Sequence, residues 1–242
     1  MKRRVFLAAA TAMVIDRSFA QTGAGSWPTK PIRFIVPYAA GGPTDVAARI
    51  LAEAFSQRLT HNVIVENVTG AGTTVGTARA AVAKDGHTFL IATVAHAVNG
   101  VLYANLSFDP VKDFRSVALI GTVPQIVLVR KDSPAGSLAE LVAAARAKPG
   151  SLTYGSAGIG SAQHLAAELL ANLAKIEIIH VPYRGSGPAV TDLMGGQIDM
   201  VIDSAATAIS HIKSGALRAL ATTTGNRLPA LPDLPTVAET LP

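Results

Sequence analysis

The stretch Ile32-Arg33-Phe34-Ile35-Val36-Pro37-Tyr38-Ala39-Ala40-Gly41-Gly42-Pro43-Thr44-Asp45 runs from a short β-rich apolar segment, closed by Pro37, into a glycine turn. A helical pattern follows at Val46, Ile50, Leu51, Ala54, Phe55 and Leu59. Strand, glycine loop and helix in that order are the repeating unit of parallel α/β folds. Either Gly42 caps the helix with Pro43 as its first residue, or Thr44 caps it; both place free backbone N–H groups beside the glycines.

The unit recurs. Val63 to Glu66 reads as a second strand, Asn67 to Gly72 as its loop, Thr73 to Ala83 as a helix and Thr88 to Ala92 as a third strand. Crossovers of this kind are almost always right-handed, so the strands are expected to be parallel, with their following loops gathered on one binding edge. A second series begins after Gly121: strand Ile126 to Arg130, helix Ser137 to Lys148 stopped by Pro149-Gly150, strand Leu152 to Tyr154, loop Gly155 to Ser161 and helix Ala162 to Ala174. Strand Ile176 to His180, loop Val181 to Pro188, helix Ala189 to Gly195, strand Met200 to Asp203, helix Ala205 to Ser214 and strand Leu217 to Thr222 continue it. With Val117 to Arg130 as the crossing strand, the chain divides into two α/β lobes, 21–122 and 123–242, with a ligand cleft expected between them.

Composition narrows the function classes. The chain has 242 residues, 49% hydrophobic and 15% charged, enough to enclose one or two packed cores. Of its formal charge of +5, three units come from Lys2, Arg3, Arg4 and Arg17 against Asp16. No run of Lys or Arg occurs elsewhere, so no nucleic-acid partner is expected and the basic pI of about 9.7 is mainly a targeting signature. Lys2-Arg3-Arg4, the apolar run Val5 to Ile15 and Ser18-Phe19-Ala20 make residues 1–20 a signal peptide, with cleavage after Ala20. The alternative is a cytosolic first helix. Arg3-Arg4-Val5-Phe6-Leu7 also resembles a twin-arginine signal, which leaves the Sec and twin-arginine routes open. No later segment holds 18 uninterrupted apolar residues, so the mature chain is not expected to insert into a membrane. With no cysteine, disulfides, thiolate zinc sites and a cysteine nucleophile are excluded.

The glycine loops are the place for chemistry, because glycine lets backbone approach a ligand and helix-start N–H groups attract negative charge. Each loop alone also reads as an ordinary strand-to-helix turn. Their number, and the few charged side chains around them, point to an anion held by backbone dipoles. No Walker loop occurs. Gly70-Ala71-Gly72-Thr73-Thr74-Val75-Gly76 approaches a dinucleotide fingerprint, yet the next strand carries no acid for a ribose, so no cofactor is expected. There is no G-x-S-x-G elbow; Ser156, Ser161, Ser186 and Ser204 read as hydrogen-bonding groups at or near loops.

His164 and Glu168 lie four apart, and one His with one Glu makes no metal site; a capping or packing role for His164 is the plainer reading. His96 is placed in the loop after the third strand, within reach of a ligand. Asp45 reads as a helix cap, and Asp203, ending a strand, as either a ligand acceptor or a local turn residue. A hydrolase or transferase using Asp45, Asp203 and a serine is the rival reading, and it lacks a nucleophile-base motif.

Taken together, Trp27-Pro28-Thr29-Lys30-Pro31-Ile32-Arg33 with Ile35 to Asp45 resembles the opening of the tripartite tricarboxylate transporter receptors, the Bug proteins. Glu66-Asn67 with Gly70-Ala71-Gly72, Asp85-Gly86-His87-Thr88, Tyr154 to Ser161 with His164-Leu165, Val181-Pro182-Tyr183-Arg184-Gly185, Gly195-Gly196-Gln197-Ile198-Asp199 and Leu231 to Thr236 extend the likeness along the mature chain. The resemblance implies a monomeric, periplasmic, non-catalytic receptor of the two-lobed Venus-flytrap type. It would bind a small carboxylate, a di- or tricarboxylate or related organic acid, and deliver it to a membrane permease. A receptor for an amino acid or aromatic acid, serving another transporter or a sensor, is the alternative.

On the same basis one ligand carboxylate would meet the first two loops through backbone groups and bridging waters. The implied site is Tyr38, Ala40, Gly41, Gly42, Thr44 and Asp45, then Gly70, Ala71 and Gly72, with Ser156, Gly158, Ser161, His164, Arg184 and Asp203 facing them. The chain departs from the family pattern in Val68-Thr69, where Arg-Pro is usual, and in Ala39-Ala40. The family also continues beyond the Leu-Pro-Thr segment to complete lobe one, whereas this sequence stops at Pro242, so the C-terminal part of lobe one is expected to be missing and apolar surface there uncovered.

Overall fold

The computed structural model describes residues 27–241; the signal segment read at residues 1–20 lies outside them. Two sheets organise the described chain. Strands β1 (Ile32–Val36), β2 (Val63–Asn67) and β3 (Thr88–Leu90) form a parallel sheet of order β2-β1-β3. Strands β4 (Gln125–Arg130), β5 (Leu152–Ser156), β6 (Ile178–Pro182), β7 (Met200–Ser204) and β8 (Leu217–Thr222) form a second sheet of order β6-β5-β7-β4-β8. In it β5 runs parallel to β6 and β7, while β4 is antiparallel to both β7 and β8.

Strand periodicity builds the larger core. Val127, Val129, Met200 and Ile202 face one side of the second sheet, against α4 (Leu138–Ala147) and α5 (Ala162–Ala174). Ile126, Leu128 and Val201 face the other, against α6 (Ser186–Met194) and α7 (Ala205–Lys213). Sheet residues fully buried in this way contribute about 2 kcal/mol each relative to exposure. In the first lobe, Ile32, Phe34 and Val36 pack with Ala48 and Ala52 of α1 (Pro43–Leu59), and Ala157 of the second lobe joins the same cluster. The backbone N–H of Ala39 donates to the carbonyl of Arg184 at 2.9 Å, so the loops of the two lobes touch.

Three departures from the sequence reading have local causes. Of the expected crossing strand Val117 to Arg130, only β4 is strand; residues 117–123 are exposed and pair with no strand among the described residues. The segment after β3 is not a loop but helix α3 (Val94–Leu102), capped by the Thr93 side chain, which accepts from the Ala95 N–H. The strand expected from Ile176 starts at Ile178, because α5 closes with Lys175 in the left-handed region and the Ile176 N–H bonded back to the Ala171 carbonyl. Helix α2 (Thr74–Ala81) and a short terminal helix α8 (Val237–Thr240) complete the element order. Large apolar side chains stand open to solvent at Val82, Val101, Val117 and Leu119, each more than 75% exposed. Among the described residues no helix is long and apolar enough to cross a membrane.

Candidate functional site

Five helix starts converge on one cavity of about 440 Å³. Gly42, Pro43 and Thr44 open α1; Thr93 and Val94 open α3; Ala162 and Gln163 open α5; Ser186 opens α6; and Ser204 caps α7. All of these residues line the cavity, together with Tyr38, Ile91, Ile120 to Val123, Gln125 and Ala157. This convergence follows from the topology, since each helix succeeds a strand whose carboxyl end lies on the same edge.

The caps are not equivalent. Thr93, Ser161 and Ser204 each accept a backbone N–H of their own helix. Gly42 and Gly185, the caps of α1 and α6, have no side chain to do so. Pro43 and Pro188 have no N–H, so the uncapped donors are the N–H groups of Thr44 and Asp45 in α1 and of Ser186 and Gly187 in α6, with the Asp45 carboxylate offsetting part of the charge at the α1 start. The two starts adjoin: a Cβ on Gly42 would sit 3.4 Å from Ser186 Oγ. Among the described residues no Asp, Glu, Lys, Arg or His lines the cavity, so backbone dipoles and neutral hydroxyls and amides set its polarity. Tyr38 donates or accepts at Thr93 Oγ1, 2.8 Å away, and burial pushes its phenol up to about 12.

Asp45 is not the cap that its position suggested. Gly42 caps α1 in an extended conformation with Pro43 first in the helix, and Asp45, 2% exposed, sits in the first turn. From there Oδ2 accepts from the Gly41 N–H and Arg49 Nε, both at 2.9 Å, and Oδ1 accepts from Asn67 Nδ2 at 2.9 Å. Burial pushes the carboxyl up, but Arg49, Gly41 and Asn67 together outweigh it and hold it below its ordinary range. Asn67 also donates to the Tyr38 carbonyl, so Asp45 ties the first two loops together. We expect Asp45→Ala to lower stability by about 3 kcal/mol at pH 7, since three donors lose a buried acceptor. Because the folded-state pKa is depressed, this stabilisation is present above the ordinary carboxylate pKa and fades as pH falls through the folded one. Denaturant melts of both chains at pH 7 and pH 3 check this: the gap should narrow at acid pH.

The second loop lies in a separate recess. Gly70, Ala71 and Gly72 line a cavity of about 40 Å³ with Pro37, Thr73, Ala157, Tyr183 and Arg184. Ala71, Gly72 and Thr73 all have positive φ, at 42°, 58° and 84°. Only the middle one is a glycine, so Ala71 and Thr73 carry backbone strain that is offset elsewhere. The buried side chain of Asn99 on α3 meets the Thr73 hydroxyl at 3.0 Å and steadies the turn. The small and large cavities share Ala157 as a wall.

Of the other expected site residues, Ala40 and Gly41 are exposed and line neither cavity, with the Ala40 carbonyl toward Gly187. Ser156 and Ser161 are 1% exposed and serve the loop between them, Ser156 binding both backbone groups of Gly158 and Ser161 capping α5. His164 Nδ1 accepts from the Gly160 N–H at 3.2 Å. Ser156 Oγ lies 2.6 Å from His180 Nε2, the spacing of a nucleophile and base, but it is buried and already committed to Gly158.

His96 lies away from both cavities. It sits on α3, not in a loop, with Nε2 2.8 Å from the Pro110 carbonyl and its ring edge-on to Phe114. Asp203 is 1% exposed and accepts from the Thr207 hydroxyl at 2.6 Å, while Ser186 and Gln163 stand near the carboxyl without the geometry of a hydrogen bond, which leaves Oδ1 unpartnered among the described residues. Burial pushes this carboxyl up, against the pull of Thr207, the Ser204 backbone, Ser186 and Gln163. Thr93, Gln125, Gln163, Ser186 and Ser204 line the large cavity without having been singled out as site residues.

Residues 47–241 match the model of the tripartite tricarboxylate transporter family receptor. The chain is 40% identical over 239 residues to a protein of the tcbD-tcbE intergenic region of Pseudomonas sp. strain P51, covering 98% of this chain and 71% of that protein. It is 41% identical over 215 residues to a protein of the ttuE-ttuC' intergenic region of Agrobacterium vitis, covering 88% and 62%. Among solved structures it is similar to the periplasmic binding protein BugD, at 37% identity and a TM-score of 0.85, over 88% of this chain and 72% of BugD. Two Rhodopseudomonas palustris proteins are also similar. Rpa4515, solved with adipate, is 36% identical with a TM-score of 0.86, over 89% of this chain and 73% of its own. MatC, solved with malate, is 33% identical with a TM-score of 0.82, over 88% and 73%. With two α/β lobes meeting at an uncharged cleft ringed by helix starts, and with a family match along most of its length, this chain belongs to the tripartite tricarboxylate transporter receptors, a family of solute-binding proteins rather than enzymes.

Proposed function

We propose that the chain is an exported, periplasmic receptor that holds a small carboxylate in the large cavity, against the adjoining starts of α1 and α6, and presents it to a membrane permease. The observation that carries this reading is that two helix starts without side-chain caps, those of α1 after Gly42 and of α6 after Gly185, meet side by side in the wall of a cavity that no charged residue lines among the described residues. Each such terminus carries roughly half a positive charge, and the two belong to different lobes, so an anion held against both favours closure. Malate and adipate, the ligands solved with MatC and Rpa4515, are acids of suitable size. One feature favours a ligand that also carries an amino group: the unpartnered Oδ1 of Asp203, behind the wall formed by Gln163, Ser186 and Ser204.

Mass spectrometry of material released from the purified chain, followed by calorimetric titration of the acid found and of malate and adipate, tests the proposal. A carboxylate in the released fraction that binds with micromolar or tighter affinity is expected. A chain that neither carries nor binds any carboxylate, or that turns one over, would sink it.

A further inference from the structure

The loop from Ser156 to Ser161 is one of the parts of the second lobe that press on the first, beside the Arg184 contact with Ala39. The Ile159 carbonyl lies 2.6 Å from where a Cβ on Gly72 would stand, and a Cβ on Gly160 would meet Leu102 and Val98 of α3 at 2.9 and 3.3 Å. The loop's internal hydrogen bonds end on two histidines. Ser156 Oγ, which bridges the N–H and carbonyl of Gly158, contacts His180 Nε2 at 2.6 Å, and the Gly160 N–H donates to His164 Nδ1 at 3.2 Å. The two rings lie together, with centroids 4.3 Å apart, and His180 stacks on Tyr154 at 4.8 Å.

The protonation chemistry of this arrangement is one-sided. His164 Nδ1 accepts the Gly160 N–H, so the ring is held in the tautomer whose Nδ1 lone pair faces the loop. A cation on His180 would be held in a half-buried position against the His164 ring, 4.3 Å away. The other titratable groups that face the pair are Tyr154 on β5, whose hydroxyl donates to Glu168, and Glu168 itself, one turn along α5 from His164. On the α3 side the nearest neighbours of Gly160 are Leu102, Val98 and Asn99, none of them charged.

We infer that His164 and His180 are positioning residues that make cleft closure proton-sensitive: the neutral His180 ring, packed on His164, holds the Ser156 to Ser161 loop against the first lobe, and protonation of His180 releases it. Burial and the neighbouring His164 push His180 down to about 4, with Glu168 pulling the other way. Loosening the loop wets the rings and returns His180 toward its ordinary value of 6.5. Protons therefore bind the loosened form better, and closure weakens as pH falls from 6.5 toward 4.

The ligand side of this inference rests on the carboxylate-receptor reading; the loop side does not, and two measurements keep them apart. Without ligand, amide hydrogen exchange at residues 157–161 in the full chain, corrected for the intrinsic pH dependence, is compared at pH 7.5 and pH 5. Protection should fall by about tenfold in the unaltered chain and stay level in the double variant His164→Gln, His180→Gln, whose amides accept hydrogen bonds without titrating. Should the double variant not fold, ring-proton titration of the unaltered chain decides: loop amide shifts must move with the same midpoint as a histidine ring.

With ligand, malate and adipate are titrated into both chains at the two pH values, so that protonation of the acid cancels in the ratio. The unaltered chain should lose about ten times more affinity at pH 5 than the variant. Equal protection at both pH values, or loop shifts that ignore the histidine midpoint, would overturn the switch. Failure of both acids to bind counts against the carboxylate reading, and the exchange result then decides the switch alone.

Discussion

Gly72→Val is expected to weaken carboxylate binding by at least about a hundredfold, equivalent to about 2.7 kcal/mol, while both lobes keep their secondary structure. The cause is a collision at the seam between the lobes. Gly72 has φ of +58°, and a Cβ there would clash with the Tyr103 hydroxyl and stand 2.6 Å from the Ile159 carbonyl. The second contact is backbone of the opposite lobe, which cannot swing aside as a side chain can, so the cost falls on closure and not on folding of either half. Tyr103 lies at the end of α3, within the first lobe, and can rotate away at modest cost.

Gly41→Val makes the control. It has φ of +83° but nothing within 4 Å of its Cβ, so only backbone strain of about 1 kcal/mol opposes the substitution and nothing blocks the cleft. Calorimetric titration with malate, adipate and any acid that co-purifies, alongside circular dichroism, separates the two variants. Gly72→Val binding within threefold of the unaltered chain would show that the lobes do not close through this contact.

The contrast between these two glycines shows what was legible in the sequence and what was not. At both, the sequence predicts that backbone approaches an anion, because glycine followed by a helix start has that chemistry wherever it occurs. Which glycine faces open solvent and which is pressed against the other lobe depends on how the lobes meet, and no local pattern encodes it. The same limit hid His180. Its partner Ser156 is two residues along the neighbouring strand in the parallel register of β5 and β6, where Tyr154 lies opposite His180. Sequence spacing of 24 residues gives no hint of that adjacency.

The strands and longer helices were legible because their periodicity matches burial: α5 and β8 have the bounds that the pattern indicated. Helix α3 was not, since Val94, Val98 and Val101 are weak helix formers and Asn99-Gly100 reads as a breaker; tertiary contacts of Asn99 and Gly160 with neighbouring elements override that preference. Missing α3 also misplaced His96, and it hid Thr93, whose role as a cap is what brings it to the cavity. Asp45 was recognised as belonging to the loop but given the wrong task, because a glycine can cap a helix without a side chain and leave the nearby acid free to reach back.

Asp203→Asn should change ligand preference by about tenfold, or about 1.4 kcal/mol, toward plain carboxylates and away from those bearing an amino group. The carboxyl stands immediately behind the wall of the large cavity, with Ser186 and Gln163 between it and the ligand space. When ionised it attracts an ammonium group through a poorly screened path and repels a second carboxylate by the same amount, and the amide does neither. Stability moves the opposite way from most core substitutions. Burial raises the folded-state pKa, so protonation favours the fold at low pH and that advantage is lost as pH rises through the raised value; the ionised group is then a buried charge with one oxygen unpartnered. Replacing it with a neutral amide is therefore expected to raise stability above that pH by about 1 kcal/mol and to leave it little changed or lower below it. Paired titrations with aspartate and malate, which differ in an amino group against a hydroxyl, read the preference, and denaturant melts at pH 4 and pH 8 read the stability. Equal losses for the two acids would remove Asp203 from selectivity. A variant less stable at pH 8 would show that the carboxylate is held by donors strong enough to outweigh its burial, and that its work is to fix the start of α7 through Thr207.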